Sequence, residues 1–253
     1  MNANILSCRP GSYQGFADGA YAHLAGIGVR YVEIPAPSDP KAELARLAAL
    51  DLVVASLHGQ CDLAAVDAVE RFSPQVGVAR ELGCNLIYLS VNVPEDQKPA
   101  GYERLRRMGD VAAVKGVTIV IETHPNLVNN GTVGRETMER VNHPNVRINW
   151  DTANVYYYNE NVDGIEEMKK LIGYIGAIHL KDTNGTPKTW HFPALGEGIV
   201  DFKEVFRLLN ERGFHGPFTM EIEGVEGESL DRAATEDRVA RSVAHLRGLG
   251  CVG

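Results

Sequence analysis

Residues 146–182 read VRINWDTANVYYYNENVDGIEEMKKLIGYIGAIHLKD and contain two short apolar runs on either side of a helical stretch. The runs 146–150 and 177–180 have the length and apolar content of buried strands. Residues 164–172 repeat apolar side chains with the period of an amphipathic helix. Because parallel neighbouring strands need a crossover connection, usually a helix, this stretch predicts one β–α unit of a parallel sheet.

The same alternation extends along the whole chain. Eight strand-like runs lie at residues 4–7, 30–34, 52–57, 86–91, 117–121, 146–150, 177–180 and 218–222. Helical patterns lie between and after the runs, for example at residues 40–50, 66–82, 102–114, 132–141, 164–172, 202–212 and 231–249, and each run is followed by a helix. Eight such units in about 250 residues is the repeat of a closed (β/α)8 TIM barrel. We therefore predict an α/β protein with one TIM barrel domain over residues 1–253.

An open, doubly wound sheet is the alternative to the barrel. Such a sheet usually carries a glycine-rich phosphate loop after its first strand. The residues that follow the first run here, CRPGSY at 8–13, match neither GxGxxG nor GxxxxGK[ST]. The absence of this motif favours the closed barrel.

Composition excludes several classes of protein. The chain has 253 residues, a formal charge of −8 and 44% hydrophobic residues. Its apolar runs are shorter than the ~18 residues that cross a bilayer, and its N-terminus lacks the pattern of a signal peptide. The acidic balance disfavours nucleic acid, whose phosphates need many cations. With four scattered cysteines and no CxxC pair, we expect a cytoplasmic protein without membrane or nucleic-acid partners.

Ionisable side chains occur where the later strands end. Charged groups in apolar strands are costly to bury unless they are paired or bind a metal. Spacings of 29 and 28 residues place three of these side chains one β–α unit apart, and the long 183–200 connection separates the fourth. The four residues are Glu122, Asp151, His179 and Glu221.

Three carboxylates and one imidazole suit a divalent cation, namely Mn²⁺, Mg²⁺ or Co²⁺, with Zn²⁺ as a further candidate. Each residue taken alone is equally consistent with a helix cap or a core histidine. Their equivalent places in successive units favour a metal site. Since residues two apart share a strand face, Glu223 is an alternative to Glu221 as the last ligand.

Other polar residues stand near the same end of the predicted barrel. Glu33 and His58 end the second and third strands, and His124 and Lys181 share strand faces with Glu122 and His179. The connection 183–200 is longer than the ~12–15 residues usual for an unstructured loop, which is typical of a functional loop. We predict a substrate-binding role for Glu33, His58, His124, Asn154, Lys181, His191 and Glu197. Structural roles, such as capping for Glu33 and surface exposure for His191, are the alternative.

The segments IETH (121–124), WDTAN (150–154), IHLKD (178–182), FPALGEG (192–198) and MEIE (220–223) resemble the xylose isomerase-like barrel superfamily, in particular its sugar phosphate isomerase/epimerase group. That group includes ketose 3-epimerases, hydroxypyruvate isomerase, inosose dehydratases and type IV endonucleases. The resemblance implies that Glu122, Asp151, His179 and Glu221 bind the metal. In the ketose 3-epimerases the first and last glutamates also exchange the substrate proton. Two positions differ, with Asn154 where those enzymes carry histidine and Lys181 as the cation nearest to their arginine.

The leading hypothesis is a metal-dependent isomerase or epimerase of a small sugar or keto-polyol, with Glu122 and Glu221 moving the α-proton through an enediolate. An alternative with the same first step is a dehydratase or lyase of a keto-sugar or keto-inositol. Two hypotheses of other classes are an endonuclease-like phosphoesterase and a non-catalytic sugar-binding subunit. The expected partner is a small carbohydrate without a phosphate group. The resemblance also implies a homo-oligomer.

Overall fold

The computed structural model describes residues 4–253. Eight parallel strands close into a barrel in chain order, the last pairing with the first. They are β1 (Leu6–Cys8), β2 (Tyr31–Pro35), β3 (Val53–His58), β4 (Leu86–Leu89), β5 (Thr118–Glu122), β6 (Val146–Asp151), β7 (Ile175–Leu180) and β9 (Phe218–Met220). This closure confirms the predicted (β/α)8 fold.

Helices connect the strands and cover the outside of the barrel. They are α1 (Ala20–Gly26), α2 (Pro40–Ala48), α3 (Ala68–Glu81), α4 (Lys98–Ala113), α5 (Gly131–Val141), α6 (Asn154–Tyr158), α7 (Gly164–Leu171), α8 (Phe202–Asn210) and α9 (Arg232–Gly248). Several begin at a side chain that accepts a hydrogen bond from a free backbone N–H of the first turn. These caps are Asp39, Asn130, Asp163, Asp201 and Asp231.

The middle of the barrel is filled by a small apolar cluster of Leu86, Tyr88, Val120 and Ala177. Since side chains two positions apart share a strand face, the next inward residue after Val120 is Glu122, and after Ala177 it is His179. Apolar side chains thus give way to ionisable ones toward the carboxyl ends of the strands. This is the end at which TIM barrels build their active sites.

The strands differ from the predicted runs mainly at their ends. The last barrel strand stops at Met220 rather than at residue 222, so Glu221 directly follows it. The connection after β7 contains β8 (His191–Phe192), which pairs antiparallel with β10 (Gly224–Val225) outside the barrel. Two-residue strands and the five-residue helix α6 are too short to produce a periodic pattern, so the sequence did not predict them.

Among residues 4–253, the helices are all too short or too polar to span a membrane. The four cysteines carry free thiols. Burial raises the pKa of Cys61 and of Cys84 to about 11, which keeps both thiols protonated. Protonated, buried thiols are poor nucleophiles and act as packing residues.

Candidate active site

The four residues predicted as metal ligands meet at one point inside the barrel mouth. Glu122 ends β5, Asp151 ends β6 opposite His179 of β7, and Glu221 follows β9. Their exposed fractions are between 0 and 6%. One ligand atom from each residue lies within 4.8 Å of the others. The barrel thus brings together side chains that are up to 99 positions apart in sequence.

The His179 ring is held on both sides. Its Nδ1 lies 3.3 Å from Glu122 Oε1 and 3.1 Å from Glu221 Oε2, so this nitrogen faces the cluster. Its Nε2 lies 3.1 Å from Glu33 Oε1, and Glu33 Oε2 accepts a 2.6 Å hydrogen bond from the Ser56 hydroxyl. Burial disfavours the charged ring, but the Glu33 and Glu122 carboxylates outweigh burial and raise the pKa of His179 to about 9.

One oxygen of Asp151 is fixed by the backbone and the other is left to the cluster. Asp151 Oδ1 accepts 2.8 Å hydrogen bonds from the N–H groups of Ala153 and Asn154. Its Oδ2 is buried and accepts no hydrogen bond from the described residues, although Lys181 Nζ lies 3.2 Å away. Because its contact with Lys181 is an ion pair without hydrogen-bond geometry, this oxygen retains lone pairs for a ligand.

Two cations lie among five acidic side chains. Lys181 Nζ is 3.2 Å from Asp151 Oδ2, 2.9 Å from Glu221 Oε2 and 2.7 Å from Glu223 Oε2. Arg9 contacts Glu221, and its Nε lies 3.5 Å from Glu33 Oε1. Burial lowers the pKa of Lys181, but the neighbouring carboxylates, first among them Asp151, raise it above its ordinary value.

These observations fit a divalent cation. Four of the five carboxylates are buried, and that of Glu223 is partly exposed at the pocket wall. They outnumber the cationic Arg9, Lys181 and protonated His179, which leaves an excess of negative charge. Such an excess is costly unless a positive ion compensates it. Three carboxylates and one imidazole nitrogen are ordinary ligands of Mn²⁺, Mg²⁺, Co²⁺ and Zn²⁺. The residues present therefore suit the metal that the sequence predicts, without selecting its identity.

Glu122 is held ionised although it is buried. Its Oε2 lies 3.1 Å from His124 Nε2, and the hydroxyl of Tyr158 lies 3.3 Å from the other ring nitrogen of His124. Burial raises the pKa of Glu122, but the hydrogen bonds with His124 and His179 outweigh burial and hold that pKa well below its usual range. The side chain is thus a carboxylate that can accept a proton from a bound molecule.

A pocket of about 270 Å³ opens above the cluster, close to the lower end of the usual range for a small-molecule site. Its walls combine ionisable and aromatic side chains: Arg9, His58, Tyr88, Ser90, Glu122, His124, Asn154, Tyr157, Tyr158, Lys181, Trp190, Phe192, Glu221 and Glu223. Of the residues predicted to bind substrate, His58, His124, Asn154 and Lys181 thus line the pocket. Glu223, the alternative last ligand, stands at the pocket wall and is bound to Lys181.

Three other predicted substrate-binding residues lie elsewhere. Glu33 is buried behind His179 and is not part of the pocket wall. Glu197 pairs with Arg241 of α9, and it lines a separate groove with His191. Along β8 successive side chains point to opposite faces, so that Phe192 faces the pocket and His191 faces away from it. None of the three lines the pocket, and their direct contact with a substrate stays a prediction.

Sequence reasoning did not assign several residues of the pocket wall. Tyr88 lies two positions after the inward Leu86, so strand parity alone would have placed it inside the barrel. Arg9 directly follows β1, and the same rule for strand ends identifies it. The aromatic residues Tyr157, Trp190 and Phe192 lie on a five-residue helix and on the long connection, where no periodic pattern predicts their direction.

The long connection is tied to the barrel by Asp182, which is fully buried. Its Oδ2 accepts hydrogen bonds from the N–H groups of Gly196 and Gly198 at 2.8 and 2.9 Å, and its Oδ1 from those of Val200 and Thr183 at 3.1 and 2.9 Å. A Cβ at Gly198 would collide with Asp182 and with the Thr183 carbonyl. The GEG segment of the sequence therefore serves the loop that carries the aromatic wall.

Comparison with known proteins gives the same fold and family. The family described as "Xylose isomerase-like TIM barrel" matches residues 21–249. A solved structure of a xylose isomerase domain protein from Planctomyces limnophilus superposes with a TM-score of 0.73 at 26% identity, covering 90% of this chain and 91% of that one. The resemblance predicted from the sequence is thereby confirmed.

Two curated relatives match part of the chain. The L-ribulose 3-epimerase of Methylomonas sp. (strain DH-1) is 27% identical over 148 residues, covering 54% of this chain and 48% of the epimerase. The inosose dehydratase of Geobacillus thermodenitrificans (strain NG80-2) is 30% identical over 136 residues, covering 47% of this chain and 45% of the dehydratase. The matches thus span about half the length of these relatives.

Proposed function

The chain belongs to the xylose isomerase-like TIM barrel family, and on that premise we propose that it is a divalent-metal-dependent isomerase or epimerase of a small sugar or keto-polyol. The observation that carries the proposal is the pair of carboxylates, Glu122 and Glu221, which both contact Nδ1 of His179 and both line the pocket. When two carboxylates lie beside the same substrate carbon, one is able to remove its proton and the other to return a proton. The Methylomonas relative is an L-ribulose 3-epimerase, which supports this chemistry.

The proton would move between the two glutamates. One carboxylate accepts the proton from the carbon beside the substrate carbonyl, and the electron pair of that C–H bond moves toward the carbonyl oxygen to give an enediolate. The other glutamate, in its acid form, returns a proton to the opposite face or to the neighbouring carbon. Glu122 is suited to the first role because His124 and His179 hold it ionised.

The metal would be held by Glu122, Asp151, His179 and Glu221. When bound, it supplies a Lewis acid that stabilises negative charge on a carbonyl oxygen. Glu33 serves this site indirectly, because its hydrogen bond to His179 Nε2 keeps Nδ1 directed at the cluster. A carboxylate that orients a ligating histidine in this way is a common feature of metal sites.

The pocket walls would position the substrate and exclude water. His58, Asn154 and Lys181 present donors and acceptors to hydroxyl groups. Burial and the positive charge of Arg9 lower the pKa of His58, so its ring is neutral and able to accept as well as donate. Trp190 and Phe192, whose ring centroids are 5.1 Å apart, form an aromatic wall over the site.

A dehydratase is the second candidate, favoured by the 30% identity to inosose dehydratase. It would use the same proton removal and then expel a hydroxyl from the neighbouring carbon. The position of Lys181 suits this reaction, because its buried ammonium lies 2.9 Å from Glu221 Oε2 and is able to stabilise a departing oxygen. The two candidates differ in the product and share the site.

Three further expectations stay predictions. They are a single domain over residues 1–253, a homo-oligomer and a cytoplasmic location. The small carbohydrate substrate without a phosphate group is part of the proposal, since Arg9 and Lys181 are both engaged by carboxylates and present no free cationic clamp within the pocket wall.

The test begins with elemental analysis of the purified protein for bound metal. The metal-loaded protein is then incubated in D2O with ketoses, inososes and 3-keto-sugars, and deuterium incorporation is followed by NMR. We expect near-stoichiometric metal and exchange at the carbon beside the carbonyl for one substrate class. A stereoisomeric product identifies an epimerase, and a product lacking one water identifies a dehydratase. Protein that takes up none of Mn²⁺, Mg²⁺, Co²⁺ and Zn²⁺ would contradict the proposal.

A further inference from the structure

A second cavity opens beside the pocket, over the carboxyl ends of β2, β3 and β4. It measures about 690 Å³, against about 270 Å³ for the pocket. Ala36 after β2 forms one side, residues 59–62 after β3 form the floor, and one face of α3 forms the other side. We call this cavity the β2–β4 groove; its lining is Ala36, His58, Gly59, Gln60, Cys61, Asp62, Ala68, Arg71, Gln75 and Ser90.

The groove adjoins the pocket, because His58 and Ser90 line both. Three rings connect the groove to the candidate metal site: the centroid of His58 is 4.8 Å from that of Tyr88, and Tyr88 is 4.5 Å from His179. His58, on the shared wall, is therefore separated from His179 of the cluster by a single ring, that of Tyr88. A molecule that is held over the cluster and is long enough to pass His58 would enter the groove.

The floor of the groove is held in place. The side chain of Gln75 on α3 accepts a 2.8 Å hydrogen bond from the Gln60 N–H and donates a 2.7 Å hydrogen bond to the Gln60 carbonyl. A Cβ at Gly59 would lie within 2.9 Å of Ile87, Gln75 and Leu89, so the backbone there packs tightly against its neighbours. The cavity is thus shaped before any ligand binds, which limits the entropy lost on binding.

The chemistry of the lining matches hydroxyl groups. The side chains of Gln60, Asp62, Arg71 and Ser90 are exposed and offer an amide, a carboxylate, a guanidinium and a hydroxyl. Donors and acceptors are both present, as hydroxyls require, since each hydroxyl donates one hydrogen bond and accepts others. Asp62 and Arg71 balance in charge, whereas a phosphate site would show an excess of cations.

We propose that the β2–β4 groove binds a second hydroxyl-rich unit, glycosyl or polyol, that is joined to the unit undergoing reaction. The natural substrate is then larger than one free sugar. The inference rests on the proposed function for the placement of the reacting unit over the cluster. Binding of the second unit does not depend on turnover and is measured separately.

The test compares glucose with the disaccharides maltose, cellobiose and trehalose as unreactive probes, using the Mn²⁺-loaded full chain and isothermal titration or saturation-transfer NMR. We expect at least one disaccharide to bind about tenfold more tightly than glucose. Ala36→Trp fills the groove from its exposed side and removes this advantage, while glucose binding is unchanged. Ala45→Trp, on an exposed position of α2 away from the groove, is the matched control and retains the advantage.

Two results would overturn the inference: disaccharides that bind no more tightly than glucose, or an advantage that survives in Ala36→Trp. Gln60→Ala is a milder variant, which should reduce the disaccharide advantage less than Ala36→Trp does. It removes one exposed amide, while the hydrogen bonds between the Gln60 backbone and the Gln75 side chain remain. Failure of deuterium exchange together with a disaccharide advantage would refute the proposed reaction and support the groove. Exchange on free sugars without a disaccharide advantage would refute the groove and support the reaction.

Discussion

The two halves of the barrel mouth are built differently. At the ends of β5, β6, β7 and β9 the ionisable groups are buried, and each is tied to several others by hydrogen bonds or ion pairs. At the ends of β2, β3 and β4 the polar groups of the groove are largely exposed; Arg71, for example, has 66% of its side chain accessible and lies 3.8 Å from Asp67. The buried half is thus a network of hydrogen bonds and ion pairs, whereas the polar side chains of the exposed half mainly contact solvent.

The difference follows from the cost of burying charge. A buried carboxylate is stable only with partners, so each partner also fixes its position. That fixed geometry is what proton transfer demands. Exposed groups are solvated by water and lie here on a backbone that is already fixed, so the loss of one such side chain costs little. We therefore expect substitutions to have large effects in the first half and small effects in the second.

The largest expected effect tests the buried half. Glu122→Gln keeps the shape of the side chain but removes its basicity, so deuterium exchange of the substrate should slow by about 10³–10⁴-fold, near the upper range for a general base. The matched variant is Glu223→Gln, whose side chain is 32% exposed at the pocket wall. Its exchange rate should fall by no more than about tenfold. Equal losses in the two variants would show that Glu223 is as important for proton exchange as Glu122. There would then be no reason to prefer Glu221 to Glu223 as the partner of Glu122.

The next effect concerns stability. Asp182→Ala removes a buried carboxylate that accepts four backbone hydrogen bonds from the long connection. Hydrogen bonds to charged groups contribute about 1.5–3 kcal/mol each and are not additive, so the free energy of unfolding should fall by about 3–5 kcal/mol. Urea denaturation measures this change. Arg71→Ala, in the exposed half, should change the free energy of unfolding by less than about 0.5 kcal/mol; a comparable loss there would contradict the comparison.

The smallest effect concerns the link between the halves. Glu33 lies on β2, one of the three strands under the groove, yet its carboxylate supports His179 in the buried half. Glu33→Gln should weaken Mn²⁺ binding by about 10–100-fold, as is usual when the group behind a ligating histidine is lost. Equilibrium dialysis against Mn²⁺ measures this affinity. Ser56→Ala removes only the hydroxyl behind Glu33 and should have a smaller effect. Unchanged Mn²⁺ affinity in Glu33→Gln would show that His179 needs no such support.

The parts of the site that lie on regular strands were predictable. Strand parity and the length of one β–α unit place Glu122, Asp151 and His179 at one end of the barrel, because both rules depend only on local geometry. Asp182 shows where those rules stop. In the sequence it is indistinguishable from a helix cap or a solvated loop residue, and only the folded loop reveals its four hydrogen bonds.

The sequence by itself determined the barrel and the meeting of Glu122, Asp151 and His179 at one end of it, since these follow from the repeated alternation of strand and helix and from strand parity. It left Glu221 and Glu223 as alternatives for the last ligand. Only the tertiary structure decided that Phe192 faces the pocket while His191 faces away, that Glu33 stands behind His179, and that the β2–β4 groove adjoins the pocket. Those features depend on irregular connections and on side chains from distant strands, whose positions are fixed by packing rather than by local pattern.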